Sequence, residues 1–388
     1  MIEKWSDFGT SIFSLMTAAA NRSGAINLAQ GFPNFDGPQI IKDAAIRAIN
    51  GSWNQYAPSI GLEELRQLIQ KRYQITGNLH FDHNKEITVF SGATEALFCT
   101  FLALFKEHDE IITFSPYFDC YPAGAYAARA KLIDVPLDPK TWTFSESILV
   151  SKINPQTKAI LVNTPHNPTG RVFDRSEMEM IAKIAQKYDL LVITDEVYEE
   201  LIYDGLDFVR MATLPGMKDR TITISSTAKT FSLTGWKIGY ICAPVRFTNE
   251  IRAVHQFTVF CSSTPLQAGI CEALKMGTEY YETFRHEYTQ RRDLLHNSLT
   301  DLGFKIKKSE GTYFLVADYS HVSDLPDLEF ALWLTETWKV AVIPTSVFYN
   351  DQIAAQKNLK QVRFAFCKDF KTLEAGIENL RKLCTHAK

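Results

Sequence analysis

Short apolar runs that alternate with helical patterns between residues 46 and 280 constrain the fold of this chain more than any other feature. Five such runs are rich in isoleucine, valine, leucine and threonine: EITVFSG (86–92), DEIITFSP (109–116), KAILVNTP (158–165), LLVITDEVY (190–198) and TITISS (221–226). Buried parallel strands have this composition. Helical patterns separate the runs, as in ATEALFCTFLALFK (93–106) and around 176–187. The pattern predicts an α/β domain with a mostly parallel sheet over residues 46–280.

A different pattern follows residue 280. A long polar helix is predicted in ETFRHEYTQRRDLLHNSLTDLG (282–303), before the short strands TYFLVADYS (312–320), VAVIPT (340–345) and QVRFAFC (361–367) and a terminal helix. This grouping indicates a smaller α+β domain over residues 281–388. Residues 1–45, with an amphipathic helix in SIFSLMTAAA, could pack on either domain, and we expect them to pack with the small one.

Composition and charge exclude several kinds of partner. The 388 residues carry 41 basic and 44 acidic side chains, a net charge of −3, and no long basic tract, so nucleic acid is not expected. No run approaches the roughly 20 apolar residues of a membrane-spanning helix. The seven cysteines are far apart and form no CxxC pair. This predicts free thiols in a reducing, cytoplasmic compartment, and no metal site.

Two isolated lysines stand in the stretch SSTAKTFSLTGWKIGY (225–240). Lys229 and Lys237 are its only charged residues, whereas lysines on a surface helix usually stand among other charges. Either both are incidental, or something anionic lies between them. Burial and the second charge are expected to lower the pKa of Lys229 below its usual value of about 10.4.

Charged residues also accompany other predicted strands, and open α/β sheets bind ligands at the carboxyl ends of their strands. Asp195 directly follows a buried strand, with Tyr198 three residues later. A carboxylate there either caps a helix or faces a buried cation. Arg363 stands in an otherwise apolar and aromatic run. It indicates either a structural ion pair or a binding site for a carboxylate.

Two loops complete this set of features. The turn in VFSGATEA (89–96) precedes a helix whose free N–H groups favour a phosphate, although Ser91 and Gly92 could form only a tight turn. The loop NTPHNPTG (163–170) could be a plain connection, and its His166 is expected to be structural. A phosphate cradle, an aspartate, a tyrosine, a lysine beside a second cation and an arginine together suit pyridoxal 5′-phosphate.

At this point the chain resembles a known family. The motifs NTPHNPTG, TDEVY, SSTAKTFSLTGWKIGY and RFAF are similar to those of the class I/II, fold-type I pyridoxal-phosphate-dependent aminotransferases, from about residue 24 to the end of the chain. INLAQGFPNFDGP, NQYAP, PYFDCY, VHQF and EGTYFLVADYS look most like the methionine aminotransferases and the kynurenine aminotransferase/glutamine transaminase group. The resemblance implies a large domain with a mostly parallel, seven-stranded type of sheet, a smaller α+β domain, and a homodimer with shared active sites.

The resemblance also implies a role for each matching residue. Lys229 would form the Schiff base with the cofactor and move the substrate proton, and Asp195 would keep the pyridine nitrogen protonated. Asn167 and Tyr198 would bind the phenolic oxygen, and Phe118, in preference to Tyr117, would stack on the ring. The phosphate would be held by Ser91, Gly92, Ala93, Thr94, Ser226, Lys237 and, from the neighbouring subunit, Tyr56. The substrate α-carboxylate would be bound by Arg363, Asn167 and the backbone of Gly31.

The substrates follow less directly from the sequence. An amino-acid donor and a 2-oxo-acid acceptor are implied, and the side-chain pocket is expected to include Phe13, Phe32 and Phe260. Each of these rings could instead belong to the core, and core packing is the favoured interpretation for Phe348. Such a pocket suits methionine and other large neutral or aromatic donors. The alternative is a kynurenine/glutamine aminotransferase with β-lyase side activity on cysteine S-conjugates, but Cys261 stands where kynurenine enzymes often have histidine. No GxGxxG follows a strand, which argues against a nicotinamide-dependent dehydrogenase.

Overall fold

The α/β part of the chain begins after three helices and builds a seven-stranded sheet. The computed structural model describes residues 5–350 and 359–386. Its elements up to residue 242 are α1 (Ile12–Ser23), β1 (Ile26–Asn27), α2 (Gln39–Asn50), α3 (Glu63–Gly77), β2 (Ile87–Phe90), α4 (Ala93–Leu104), β3 (Glu110–Ser115), α5 (Cys120–Ala127), β4 (Lys131–Pro136), α6 (Glu146–Ser151), β5 (Thr157–Asn163), α7 (Arg175–Lys187), β6 (Leu191–Asp195), β7 (Thr221–Ser226), α8 (Thr227–Thr230) and β8 (Gly239–Cys242).

Helices dominate the chain after residue 242. These elements are α9 (Val245–Thr258), α10 (Thr264–Leu274), α11 (Thr278–Asp301), β9 (Lys305–Ile306), β10 (Phe314–Asp318), α12 (Asp327–Thr337), β11 (Val340–Ala341), β12 (Ile343–Pro344), β13 (Gln361–Ala365) and α13 (Phe370–His386). The long polar helix and the short strands expected here are therefore present.

The large sheet has the strand order β2-β8-β7-β6-β5-β3-β4. Strand β8 is antiparallel to both of its neighbours, and the other adjacent pairs are parallel. All five strands predicted in this region are present, and the mostly parallel sheet is confirmed. The pairing of Asn163 with Asp195, and of Asp195 with Ile224, brings the carboxyl ends of β5, β6 and β7 to one edge.

Apolar side chains cover both faces of this sheet. Ile112 and Ile160 belong to one buried cluster, which includes residues of α7. Their chain neighbours Ile111 and Leu161 belong to another cluster, which includes residues of α4 and α5. Successive side chains of a strand point to opposite faces, so continuous apolar runs are needed where both faces are buried. This explains why the predicted strands showed no polar alternation.

A four-stranded antiparallel sheet, in the order β12-β13-β10-β9, lies in the C-terminal part of the chain. The run VAVIPT, predicted as one strand, is divided between two sheets. Val340 and Ala341 pair in parallel with Ile26 and Asn27, whereas Ile343 and Pro344 pair with β13. Thus α1 and β1 pack with the C-terminal elements, while α2 packs against α10.

Two expectations concerned the cysteines and the membrane. Six cysteines are free in the described part of the chain: Cys99, Cys120, Cys242, Cys261, Cys271 and Cys367. Within residues 5–350 and 359–386, none of the helices has the length and apolar character to cross a bilayer.

Candidate active site

A pocket opens at the carboxyl ends of β5, β6 and β7, as expected for an open α/β sheet. Its lining is formed by Gly92, Ala93, Thr94, Leu97, Phe118, Asn163, Asn167, Asp195, Val197, Tyr198, Ser226, Ala228, Lys229, Thr234 and Lys237. Ten of the residues predicted to contact a cofactor therefore line one pocket, although they are separated by up to 145 positions in sequence.

Lys229 lies in α8, the short helix that directly follows β7. Burial disfavours its ammonium form and lowers the pKa of the lysine to about 8, and the positive charge of Lys237 acts in the same direction. This confirms the direction expected from the sequence. Its Nζ also lies 5.9 Å from the centroid of the Tyr313 ring. A lysine with this pKa supplies an appreciable amount of neutral amine near pH 7, which a nucleophile or base requires.

Asp195 is the last residue of β6 and is buried. The hydroxyl of Tyr121 donates a hydrogen bond to its Oδ2 at 2.8 Å, and the Val197 N–H donates one to Oδ1 at 3.3 Å. Burial raises the pKa of this carboxyl to about 6, so it remains mostly ionised at pH 7. The hydrogen bond from the Val197 N–H resembles a helix cap, one of the two roles predicted for this residue. Asp195 also lines the pocket, where a cation could pair with its carboxylate.

The loop after β5 is held by side-chain amides. Asn163 donates from Nδ2 to the Asp195 carbonyl oxygen at 2.9 Å, and its Oδ1 accepts the Asn167 N–H at 2.8 Å. The side chain of Asn167 is thereby directed to the pocket. His166 is buried against Thr169, with 2.7 Å between Nδ1 and Oγ1, and burial lowers its pKa to about 3. This environment agrees with the structural role expected for the histidine.

Arg363 lies in β13 and is buried. Its Nη1 donates to Asn167 Oδ1 at 2.9 Å and its Nη2 to the Ala29 carbonyl oxygen at 3.2 Å. No described residue accepts a hydrogen bond from its Nε. Burial lowers the pKa to about 10, which still leaves the guanidinium charged at pH 7. Among the described residues this arginine makes no salt bridge, so the carboxylate-site interpretation is favoured over a structural ion pair.

Aromatic rings surround this guanidinium. Its central carbon lies 3.9 Å from the ring centroid of Phe314, 5.1 Å from that of Phe348 and 5.3 Å from that of Phe13. Of these, Phe13 was expected in the substrate pocket, whereas Phe348, for which core packing was the favoured interpretation, is fully buried. Phe32 is instead 46% exposed and packs over Lys368, and the carbonyl of Gly31 accepts a hydrogen bond from Tyr313.

The turn before α4 and the residue Lys237 form the other end of the pocket. Gly92 has φ +85°, a backbone conformation that favours glycine, and a Cβ on it would lie 3.0 Å from Lys237 Nζ. Gly239 is equally constrained, because a Cβ there would lie 2.6 Å from the Ala93 backbone nitrogen. Ser226 lines the pocket and its Oγ accepts the Ala228 N–H at 3.2 Å.

Some predicted residues lie elsewhere than the pocket wall. Ser91 does not line it: its Oγ lies 3.2 Å from Ser262 Oγ, and its N–H donates to Glu95. Tyr56 is 83% exposed, and its ring centroid is 5.4 Å from that of Phe260. Phe118 lines the pocket whereas Tyr117 does not, in agreement with the preference stated from the sequence.

Sequence reasoning assigned no role to three residues that complete the site. Tyr121 binds Asp195, Asn163 orients Asn167, and the ring of Tyr313 meets that of Tyr198 edge to face at a centroid distance of 5.2 Å. Tyr121 and Tyr313 lay within quoted motifs, PYFDCY and EGTYFLVADYS, but a motif does not indicate which of its side chains contacts a residue of the pocket. Asn163 offered a stronger signal, because it ends a predicted strand.

The sheet order and the pocket at its edge define an α/β enzyme of fold type I. The chain belongs to the aminotransferase class I and II family, whose profile matches residues 23–379. It is 36% identical over 380 residues to the methionine aminotransferase of Escherichia coli, covering 98% of this chain and 97% of that protein. A crystal structure of a methionine aminotransferase from that organism superimposes with a TM-score of 0.93 over 98% of this chain and 100% of that one, at 35% identity.

Other relatives carry different names. The probable N-succinyldiaminopimelate aminotransferase of Mycobacterium tuberculosis is 38% identical over 98% of each chain, and a structure of that enzyme superimposes with a TM-score of 0.95 over 99% of this chain and 100% of that one. Human kynurenine–oxoglutarate transaminase 3 is 36% identical, covering 96% of this chain and 88% of that protein. The chain is thus an aminotransferase, and amino acids and oxo acids are its substrate classes.

Proposed function

We propose that this enzyme uses pyridoxal 5′-phosphate to move the α-amino group of methionine, or of another large neutral or aromatic amino acid, to a 2-oxo acid. One observation carries the proposal: a single pocket brings together Lys229, Asp195 and Lys237, with Arg363 hydrogen-bonded to its wall at Asn167. These are a nucleophilic amine, a buried anion and two cations at separate positions, which match the functional groups of the cofactor and of an amino acid.

The residues of the pocket fit the cofactor. Gly92 keeps the space beside Lys237 free, and the start of α4 at Ala93 presents backbone N–H groups, so this end suits a phosphate. Asp195 would pair with the pyridine N–H at the other end. Asn167 and Tyr198 would hold the phenolic oxygen, Phe118 would lie on the ring, and Ser226 would add a hydroxyl to the phosphate site.

When bound, pyridoxal 5′-phosphate supplies an electron-accepting ring that stabilises negative charge at the substrate Cα. Lys229 Nζ would remove the Cα proton and return it on the other side of the transferred nitrogen. Its pKa of about 8 suits both directions of this transfer, because such a group is present in both protonation states near neutral pH. Asp195 would hold the proton of the pyridine nitrogen, and the bond from Tyr121 fixes the carboxylate that does so.

Arg363 would orient the substrate. Its hydrogen bonds to Asn167 and Ala29 fix the plane of the guanidinium, and its Nε, from which no residue in the described ranges accepts a hydrogen bond, would donate to the α-carboxylate. A planar fork of this kind binds a carboxylate through parallel hydrogen bonds. The rings of Phe13, Phe314 and Phe348 would keep water away from the pair.

The same rings support large neutral or aromatic donors. A panel of methionine, phenylalanine, kynurenine, aspartate and N-succinyldiaminopimelate, each with the same 2-oxo acid, tests this preference through kcat/KM. Methionine or phenylalanine should exceed aspartate, and the reverse order would overturn the preference. Cys261→His is the matched variant for kynurenine, and it should raise the ratio of kynurenine to methionine turnover.

The relatives named as kynurenine transaminases support a second candidate, a kynurenine/glutamine aminotransferase with β-lyase side activity on cysteine S-conjugates. Pyruvate and ammonia released from such a conjugate without an acceptor would reveal the side activity. Transamination of glutamine or kynurenine faster than of methionine would make this candidate the better description.

Lys229→Ala is the decisive variant for the chemistry. It should lose transamination, because both the covalent attachment and the Cα base are removed, yet it should still bind the cofactor non-covalently. The absorption spectrum of the wild-type protein should contain a visible band that makes the protein yellow, and this band should disappear when methionine is added. Near-normal turnover by Lys229→Ala would refute the assignment, and Lys218→Ala, on the surface, is the control.

We also propose a homodimer with shared sites. Exposed apolar side chains, namely Ile40, Ile46, Ile49, Trp53, Tyr56, Phe257, Val259 and Phe260, lie in α2, the segment that follows it and the end of α9. If Tyr56 completes the partner's site, co-expressed Tyr56→Ala and Lys229→Ala chains should form hybrids with one intact site. Hybrids no more active than the mixed parent variants would contradict the sharing. The cytoplasmic location stays a prediction.

A further inference from the structure

The side chain of His255, in α9, lies behind the pocket rather than in its wall, and it is 1% exposed. Its Nδ1 lies 2.7 Å from Glu95 Oε1, and its Nε2 lies 2.9 Å from the carbonyl oxygen of Ser59. A backbone carbonyl can only accept, so Nε2 carries a hydrogen. One further proton is then shared between Nδ1 and Oε1, and both ring nitrogens are occupied by protein partners.

Glu95 carries this contact to the turn that precedes α4. Its Oε2 accepts the N–H of Ser91 at 2.5 Å, and its Oε1 also accepts from the hydroxyl of Thr258 at 3.2 Å. Ser91 directly precedes Gly92, and Ala93 begins the helix. The carboxylate therefore fixes the backbone where the proposed phosphate site begins, although none of its own atoms line the pocket.

Ser59 carries the contact in the other direction, to the segment that contains Tyr56. The same segment is attached to β2, because the Val89 N–H donates to the Ile60 carbonyl at 3.0 Å. It also meets α10, where Thr264 Oγ1 donates to the Gln55 carbonyl at 2.7 Å. One imidazole thus joins two stretches of chain: 91–95 contains the turn of this subunit's proposed phosphate site, and 55–61 contains the tyrosine proposed to reach the partner's site.

The segment that follows α9 contacts both His255 and the turn at Ser91. The Phe260 N–H donates to the His255 carbonyl at 3.1 Å, and Ser262 lies beside Ser91.

Cys99 is the remaining titratable group here, with Sγ 3.9 Å from Glu95 Oε1, and burial raises its pKa to about 11. Glu95, Cys99 and His255 have the atom types of a metal site, but they already bond one another and the backbone, which favours a structural connection over metal binding.

We propose that His255 is a positioning residue for the phosphate end of the pocket: through Glu95 and Ser59 it holds the turn at Ser91–Thr94 and the segment that carries Tyr56. The inference rests on the proposed cofactor. It assigns to this histidine no contact with substrate or cofactor. Because the turn that it holds belongs to the phosphate end of the pocket, loss of His255 should weaken the binding of ligands that bear a phosphate.

The test compares two ligands in two variants. His255→Phe keeps a ring against Phe90, whose centroid is 4.5 Å away, but removes both hydrogen bonds. Glu95→Gln keeps the side-chain shape and weakens the same contacts. Affinity for pyridoxal 5′-phosphate should fall roughly ten-fold or more in each, as expected for a lost hydrogen bond to a charged group. Affinity for pyridoxal, which has no phosphate, should change by less than about two-fold.

The outcomes separate the possibilities. Equal losses for the two ligands would mean a merely structural role, and unchanged affinity for both would also overturn the proposal. His255→Gln, whose amide can still donate, should recover part of the affinity. His321→Gln is the matched control, since His321 also contacts a carbonyl oxygen, that of Leu302, at 3.1 Å but lies far from the pocket in the C-terminal part of the chain.

Two further measurements make the test robust. If His255→Phe does not fold, the ligand affinities of Glu95→Gln and hydrogen exchange of the wild-type protein test the proposal instead. The amide of Ser91 should be among the slowest-exchanging amides outside the strands. Fast exchange at this amide would contradict the proposal. Wild-type protein that binds no pyridoxal 5′-phosphate would instead refute the proposed function itself, so the two failures are distinguishable.

Discussion

Arg363 and Asn167, which are 196 positions apart in sequence, are joined by a hydrogen bond of 2.9 Å from Nη1 to Oδ1. The bond connects β13 to the loop after β5, so it links the two sheets across the pocket. It also places the arginine that would bind the substrate carboxylate beside the amide that would bind the cofactor. In the proposed function, the substrate and cofactor sites would therefore share one wall.

Substitution of Arg363 by lysine should affect the substrate far more than the cofactor. A lysine ammonium has no planar fork, so it cannot bind Asn167 and a carboxylate together. We expect kcat/KM for neutral amino acids to fall roughly 100-fold, about 3 kcal/mol, as for loss of hydrogen bonds to a charged group. Cofactor affinity should stay within a few-fold. An unchanged KM would contradict this, and Arg246→Lys is the surface control.

Lys229 should destabilise the cofactor-free protein at neutral pH. Its pKa is about 8 when folded against 10.5 ordinarily. Between these values the unfolded chain binds more protons than the folded one, so stability rises with pH through this window. Lys229→Met should therefore be more stable than the wild type below pH 8, by about 3 kcal/mol. Denaturant midpoints should converge as the pH approaches 10.5, whereas Lys218→Met should show no such trend.

Lys237 should contribute charge rather than geometry to the phosphate site. It has φ +54° and stands next to the space left by Gly92. Lys237→Met should weaken cofactor binding roughly ten- to 100-fold. The same variant should raise the pKa of Lys229, because the nearby positive charge lowers it in the wild type. Lys237→Arg should keep the affinity, and equal losses in both variants would show that shape decides.

Arg210 should be essential to stability because it is buried between two carboxylates. Its Nη1 lies 2.6 Å from Glu196 Oε2, and its Nη2 pairs with Glu199. Arg210→Met would leave both carboxylates without their cation, so a loss of about 3–5 kcal/mol in the free energy of unfolding is expected. Arg175→Met, which breaks the exposed pair with Glu179, should cost less than about 1 kcal/mol. Similar losses would contradict this difference.

The strands that carry the site could be predicted because burial on both faces leaves a clear apolar signal. Strand β8 (GYIC) contains a single β-branched residue and β4 contains lysine, aspartate and proline, so neither stood out. The division of VAVIPT between two sheets was also missed, since Val342 is as apolar as its neighbours. Apolar runs indicate that a segment is buried, but they do not indicate which sheet it joins.

Some residues of the site could be predicted from the sequence, and others could not. Asp195 and Arg363 could be found because a charge at the end of a buried strand, or within an apolar run, requires a partner. Tyr121 could not, because its bond to Asp195 spans 74 positions and depends on the path of α5. The positive φ of Phe260 and Lys237 was equally hidden, since glycine, asparagine and aspartate are the residues that usually adopt it.

The antiparallel strand β8 gives the site one more property. Ser226 pairs with Gly239, so the hairpin formed by β7, α8 and β8 carries Lys229 near its start and Lys237 near its end, and Gly239 contacts the turn at Gly92. The backbone of one hairpin therefore sets the distance from the amine of Lys229, proposed to bind the aldehyde, to the proposed phosphate site. This separation is fixed, so a molecule whose aldehyde stands one bond farther from its phosphate would reach either Lys229 or the proposed phosphate site, but not both.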